Sequence, residues 1–218
     1  MSRIIYDKYN KVLIPTLPRA DFAGKIVVVI TEKEAEEAVD YLLQQPILGF
    51  DTETRPMFKK GESRPVALLQ VSSSDVCFLF RLNIIGMPDC IIRLLENTRV
   101  PIIGLALHDD LLSLKKRRRF SPGNFIDLQD MVGKLGIKDM GLQKLYANIF
   151  GERIVKREQL SNWENQILTD KQKQYAATDA WACLMLYNEL SRLIESRDYE
   201  LVVTEEDTEK ETENHDDI

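Results

Sequence analysis

The chain predicts an α/β fold, a mixed β-sheet with helices on both faces. Short β-branched runs alternate with longer segments whose apolar residues recur at helical spacing. Two of the runs adjoin across a short polar turn, which adds an antiparallel pair to strands otherwise joined through helices. A hydrophobic fraction of 44% over 218 residues fits one packed body, with no internal repeat and no second domain.

Residues 1–24 read as an irregular leader containing Pro15 and Pro18. KIVVVI (25–30) is a buried strand bounded by Gly24 and Thr31. Thr31 and Glu34 spell a capping box for a helix over 31–45, with Ala35, Ala38, Val39, Leu42 and Leu43 at helical spacing and Pro46 as its stop. ILGFDTE (47–53) is the next strand, and 54–64 a polar loop. Residues 65–73 and 76–82 form a hairpin around Ser73, Ser74 and Asp75. A helix over 88–97, a strand over 100–107, a helix near 109–118 and a short strand over 125–128 follow. A helix over 141–151 ends at Gly151. The last element is a long helix over 168–196, with Thr169 and Gln172 as its capping box.

The net charge of −6 is unevenly spread. Residues 204–218 hold eight acids and one base, so the rest of the chain carries 28 bases against 27 acids. Dense like charge and few apolar residues predict that this tail is disordered, leaving 25–203 as the folded domain. No apolar run approaches the roughly 20 residues that span a bilayer, and the first 24 residues lack the apolar core of a signal peptide. Cys77, Cys90 and Cys183 are odd in number and widely spaced, as expected of buried thiols in a reducing, cytoplasmic setting.

Three places carry acids where a plain core would not. Asp51 and Glu53 end an apolar strand, and alternation points both the same way. Two such charges repel and lose hydration, and a divalent cation between them would reverse that penalty. A strand running out into a polar loop is the plainer account of the same residues. Next, the apolar run 102–107 leads into His108, Asp109 and Asp110 at the start of a helix, where either acid could simply cap it. Finally, Tyr175 and Asp179 stand one turn apart inside the long helix, among Ala176, Ala177, Ala180, Ala182 and Cys183. Tyr175 could bond Asp179 there with no further role. Brought together in one α/β domain, the three places could converge on divalent ions.

These segments resemble the tyrosine subclass of the DEDD 3′–5′ exonucleases, within the ribonuclease D and Werner-type exonuclease group. ILGFDTETRP carries the first motif, PIIGLALHDDLLSL the second, and LTDKQKQYAATDAWACLMLY, preceded by LSNWE, the third. The resemblance covers roughly 25–195 and implies an RNase H-like mixed sheet of about five strands flanked by helices. It places Asp51, Glu53 and Asp179 as metal ligands, with Asp110 as the fourth by register and Asp109 as the alternative. Tyr175 matches the subclass tyrosine, four residues before the last acid; the histidine subclass would need histidine where Gln174 stands.

The implied chemistry is hydrolysis at a nucleic-acid 3′ end by two Mg²⁺ or Mn²⁺ ions, releasing nucleoside 5′-monophosphates. Nucleic acid, DNA or RNA, is the expected partner, and any helicase or targeting module would be a separate protein. Lys115, Lys116, Arg117, Arg118 and Arg119 form a candidate phosphate-contact patch, or merely a solvated helix end. Lys59, Lys60, Arg64, Lys156 and Arg157 are similar candidates, and Trp163 is a stacking or packing residue. A catalytically silent nucleic-acid-binding module and a nucleotide phosphohydrolase are the competing classes.

Overall fold

The computed structural model describes residues 2–57 and 64–204. In chain order the elements are β1 (Arg3–Tyr6), β2 (Lys25–Val29), α1 (Glu32–Leu42), β3 (Leu48–Glu53), β4 (Leu68–Ser72), β5 (Val76–Phe80), the single turn α2 (Leu82–Ile85) and α3 (Asp89–Leu95). They continue as β6 (Ile102–Gly104), α4 (Leu107–Arg117), β7 (Phe125–Asp127), α5 (Gln129–Val132), α6 (Leu142–Phe150), α7 (Asp170–Ser196) and β8 (Tyr199–Val202).

Six strands form the main sheet in the order β2-β5-β4-β3-β6-β7, one more than expected. The pairs β3–β4 and β4–β5 are antiparallel and the others parallel, so the sheet is mixed. On one face, α1, α3 and α4 bury Val39, Leu42, Ile91, Leu94 and Leu114 against Phe50, Val71 and Phe80. On the other, α7 runs across the sheet, with α5 and α6 packed beside it. Both capping boxes form: Glu34 N–H donates to the Thr31 hydroxyl, and Gln172 N–H to that of Thr169.

The seat of α7 depends on Gly49. A Cβ at that position would lie 1.9 Å from the Ala180 carbonyl oxygen. Strand and helix backbones touch there, which no larger residue permits.

Three expectations are corrected. The leader is not irregular throughout: β1 pairs in parallel with β8 as a separate two-stranded sheet. Ile5 is fully buried in the α6–α7 core, and the Asn148 side chain bonds both polar groups of the Tyr6 backbone. Asp7, also buried, accepts from the Thr204 N–H and hydroxyl and pairs with Lys138. Four residues per strand give too little pattern to read, because each partner lies nearly the whole chain away. Thr204, assigned to the tail, is therefore tied to the body, whereas 205–218 lie outside the described residues. The strand expected over 100–107 is also cut to three residues, because Ala106 turns left-handed (φ 57°) and Leu107 already begins α4.

Replacing Gly49 with valine should lower stability by about 2 kcal/mol or more, or prevent folding, because backbone blocks the new side chain. Thermal or denaturant unfolding measures this, and a variant of wild-type stability would remove the close approach from the account.

Candidate active site

Alternation along β3 sorts its side chains between the two faces. Phe50 joins the core beneath α1 and α3, whereas Gly49 faces α7 and sets Asp51 and Glu53 on that same side. α7 brings Asp179 over them. One carboxylate oxygen from each of Asp51, Glu53 and Asp179 lies within 4.8 Å of the other two. Glu53 and Asp179 are buried and Asp51 is half-buried.

Three carboxylates in this space resist ionisation together. Burial first, then the charges of Asp179 and Asp110, hold the Asp51 carboxyl well above its ordinary range. Glu53 is pushed up to about 10 by burial and by the Asp51, Asp179 and Asp110 charges. Burial raises Asp179 to about 7, with the Tyr175 hydroxyl and the Lys156 ammonium opposing it. The buried Asp179 Oδ1 has no hydrogen-bond partner among the described residues. A hard divalent cation fits this donor set, since it takes oxygen ligands and cancels the repulsion. Cys183 also lines the cleft, and burial, then the nearby carboxylate charges, hold its thiol well above its ordinary range.

Asp110 stands beside the trio, outside the three-carboxylate group. It is half-buried, and its Oδ1 accepts the Thr52 hydroxyl hydrogen. Burial raises it to about 6 against that bond, with the Asp109 and Asp127 charges adding. Asp109 and His108 are exposed, so of the two acids only Asp110 is directed at β3. α4 is aimed by Asp127, whose carboxylate accepts from the N–H groups of Ala106 (3.0 Å) and Leu107 (2.8 Å). This clamp holds Ala106 in its left-handed conformation.

Tyr175 is buried on α7, one turn before Asp179. Burial and then the Asp179 and Glu53 charges raise its hydroxyl far above the ordinary range, so it is a neutral phenol. Trp163 is fully buried 6.0 Å from the Tyr175 ring, which makes it a packing residue. Buried Arg81 donates to the Asn165 and Gln166 carbonyls and fastens this segment to β5. The three carboxylates, Tyr175 and Lys156 line one cleft.

The basic run divides. Lys115 lies over the Phe120 ring at 5.8 Å, Arg117 donates to the Val66 carbonyl, and Arg118 pairs with Asp89. Lys116 and Arg119 are exposed and show no partner among the described residues. Arg64 lies 3.8 Å from Glu164, while Lys59 and Lys60 fall outside the described residues. A depression lined by Arg19, Arg153, Arg157 and Lys171 adjoins the cleft and shares Tyr175 and Ile154 with it. Sequence reading missed Arg19 and Arg153, which a backbone bridge sets side by side from distant segments. It also missed Thr52 and Asp127. Thr52 sat in plain view between two selected acids, and Asp127 closed a predicted strand.

An RNase H-like α/β fold enclosing an acidic, cation-accepting cleft defines a class of nucleases. The 3′–5′ exonuclease family model matches residues 26–195, and the chain belongs to that family. It is 31% identical over 194 residues to the bifunctional 3′-5′ exonuclease/ATP-dependent helicase WRN of Mus musculus, covering 84% of this chain and 14% of that protein. It is 34% identical over 157 residues to exonuclease 3′-5′ domain-containing protein 2 of Drosophila melanogaster, covering 70% and 27%. The chain thus spans only a minor part of either relative. The crystal structure of the Aedes aegypti Nibbler EXO domain shares the fold, with a TM-score of 0.72 at 20% identity, covering 80% of this chain and 91% of that one. Among the described residues no helix is long and apolar enough to cross a membrane.

The raised carboxyls set how cation-free stability depends on pH. The folded protein holds protons that the unfolded chain releases near pH 4, so stability falls as pH rises through about 6 and 7, where Asp110 and Asp179 titrate. In chelator, the melting temperature should be lower at pH 8 than at pH 5, and Mn²⁺ should restore more of it at pH 8. Asp179→Asn should raise the chelated melting temperature at pH 8. Equal melting at both pH values in chelator would count against a crowded anionic site.

Proposed function

We propose that this chain is a metal-dependent 3′–5′ exonuclease of the tyrosine subclass, hydrolysing the terminal phosphodiester of a nucleic-acid strand and releasing nucleoside 5′-monophosphates. The observation that carries the reading is the buried meeting of Asp51, Glu53 and Asp179 beside a neutral Tyr175. A lone binding surface has no need to crowd three carboxylates against their own repulsion.

Asp51, Glu53 and Asp179 would hold the cations, with Asp110 supporting from its place on Thr52. Two bound Mg²⁺ or Mn²⁺ ions would supply charge neutralisation at the scissile phosphate and acidification of the attacking water. The Tyr175 phenol, protonated throughout the working range, would orient that water through its hydroxyl instead of removing its proton. Strand phosphates would run along Lys156, Arg157, Lys171 and Arg19 at the rim, with Lys116 and Arg119 as the members of the basic run free to extend the grip. The partner is nucleic acid, DNA or RNA.

Digestion of 5′-labelled DNA and RNA oligomers tests the reading. A ladder shortening from the 3′ end should form with Mg²⁺ or Mn²⁺ and vanish with chelator. Asp51→Ala and Asp179→Ala should abolish it while remaining folded, and Tyr175→Phe should slow it by about 10²-fold. Binding without cleavage would favour a silent module, and cleavage confined to mononucleotides a phosphohydrolase. In the Asp51→Ala background, Arg157→Ala with Lys171→Ala should weaken oligomer binding and flatten its logarithmic salt dependence by about 1 to 2. An unchanged slope would take the rim out of the strand path.

A further inference from the structure

The sheet register sets Gln70 on β4 directly across from Asp51 on β3. Both face α7. Leu68, two residues before Gln70, packs with Ala176 and Ala177, whereas Leu69 and Val71 join the opposite core. Gln70 is fully buried, and neither its Oε1 nor its Nε2 has a hydrogen-bond partner among the described residues. Buried amides are almost always satisfied, so one with both atoms idle beside a cluster of carboxylates points to a bond that is completed only when the ligand is bound. Its other neighbours in the sheet offer no partner. Leu68 along the strand and Leu79 across on β5 are apolar, and the Ser72 hydroxyl is directed at the Ser73 carbonyl. The Asp51 carboxylate can serve, since its Oδ1 takes only the Thr52 N–H, at 2.9 Å. With a cation bound, the ionised trio consists of acceptors alone.

We propose that Gln70 is a positioning residue of the metal centre: with a divalent cation bound, its Nε2 donates to the Asp51 carboxylate and fixes the orientation in which Asp51 ligates. Gln70 touches neither substrate nor reacting atoms, and the cation is the only part of the nuclease reading on which this rests. Unlike the trio, Gln70 adds no charge, so it orients Asp51 without deepening the repulsion. Partners of this kind typically change metal affinity 10- to 100-fold.

Calorimetric Mn²⁺ titration of the full chain, with melting curves in chelator, tests the inference. Gln70→Met keeps the side-chain length and removes both idle polar atoms. It should melt at or above the wild-type temperature in chelator and bind Mn²⁺ about 10-fold or more weakly. Gln70→Asn keeps the amide but shortens its reach, and should also lose Mn²⁺ affinity; it serves if the methionine variant fails to fold. Wild-type Mn²⁺ affinity in the folded variants overturns the positioning role, as does a lowered chelated melting temperature with unchanged affinity. A wild-type chain that binds no Mn²⁺ overturns the nuclease reading itself, so the two failures are told apart.

Discussion

The contact between β3 and α7 at Gly49 is what the rest of the site depends on. A sheet and a helix normally stand apart by the thickness of their side chains. Here strand and helix backbones meet, because Gly49 offers no Cβ and the facing stretch of α7 is alanine-rich. The approach lowers Asp179 onto the end of the strand that carries Asp51 and Glu53. The meeting of Gly49 with the Ala180 backbone is thus the packing condition for the three carboxylates to come together.

The gathering works against stability, and the surrounding structure holds it. Burial and mutual repulsion raise the carboxyls, and Ala106 is kept left-handed at the head of α4 by the Asp127 clamp. Such costs are found where a protein spends stability on readiness to bind. The arrangement is asymmetric. Asp51, Glu53 and Asp179 form the acceptor cup, while Asp110 is turned toward Thr52 from the helix layer on the far face. The opposite layers of the fold therefore both reach the site, one directly and one around the end of β3.

Much of the fold was legible because its elements announce themselves locally. The two capping boxes, the apolar spacing of α1 and the turn at Ser73–Asp75 each lie within a few residues. The chosen acids were legible for the same reason: alternation sets Asp51 with Glu53, and one helical turn sets Tyr175 with Asp179. What escaped depends on distant pairing. β1 finds β8 across the chain, Asp127 reaches back to α4, Gln70 acquires meaning only from its register with Asp51, and Arg19 reaches Arg153 from the leader. The basic run could not be sorted for a related reason. Five adjacent cations look alike in sequence, yet a helix end sends Arg117 and Arg118 inward to backbone carbonyls.

The clasp between β1 and β8 also bears on how the protein is made. Ile4 pairs with Glu200, so the first strand stays unmatched until nearly the last described residue has left the ribosome. At about 5–20 residues per second, that wait is on the order of 10 to 40 seconds. Until then the carboxylate of Asp7 lacks the Thr204 N–H and hydroxyl that it accepts from. The six-stranded sheet can be assembled from residues 25–127 well before then. Synthesis therefore imposes an order in which the catalytic scaffold starts to form first and the ends are fastened last.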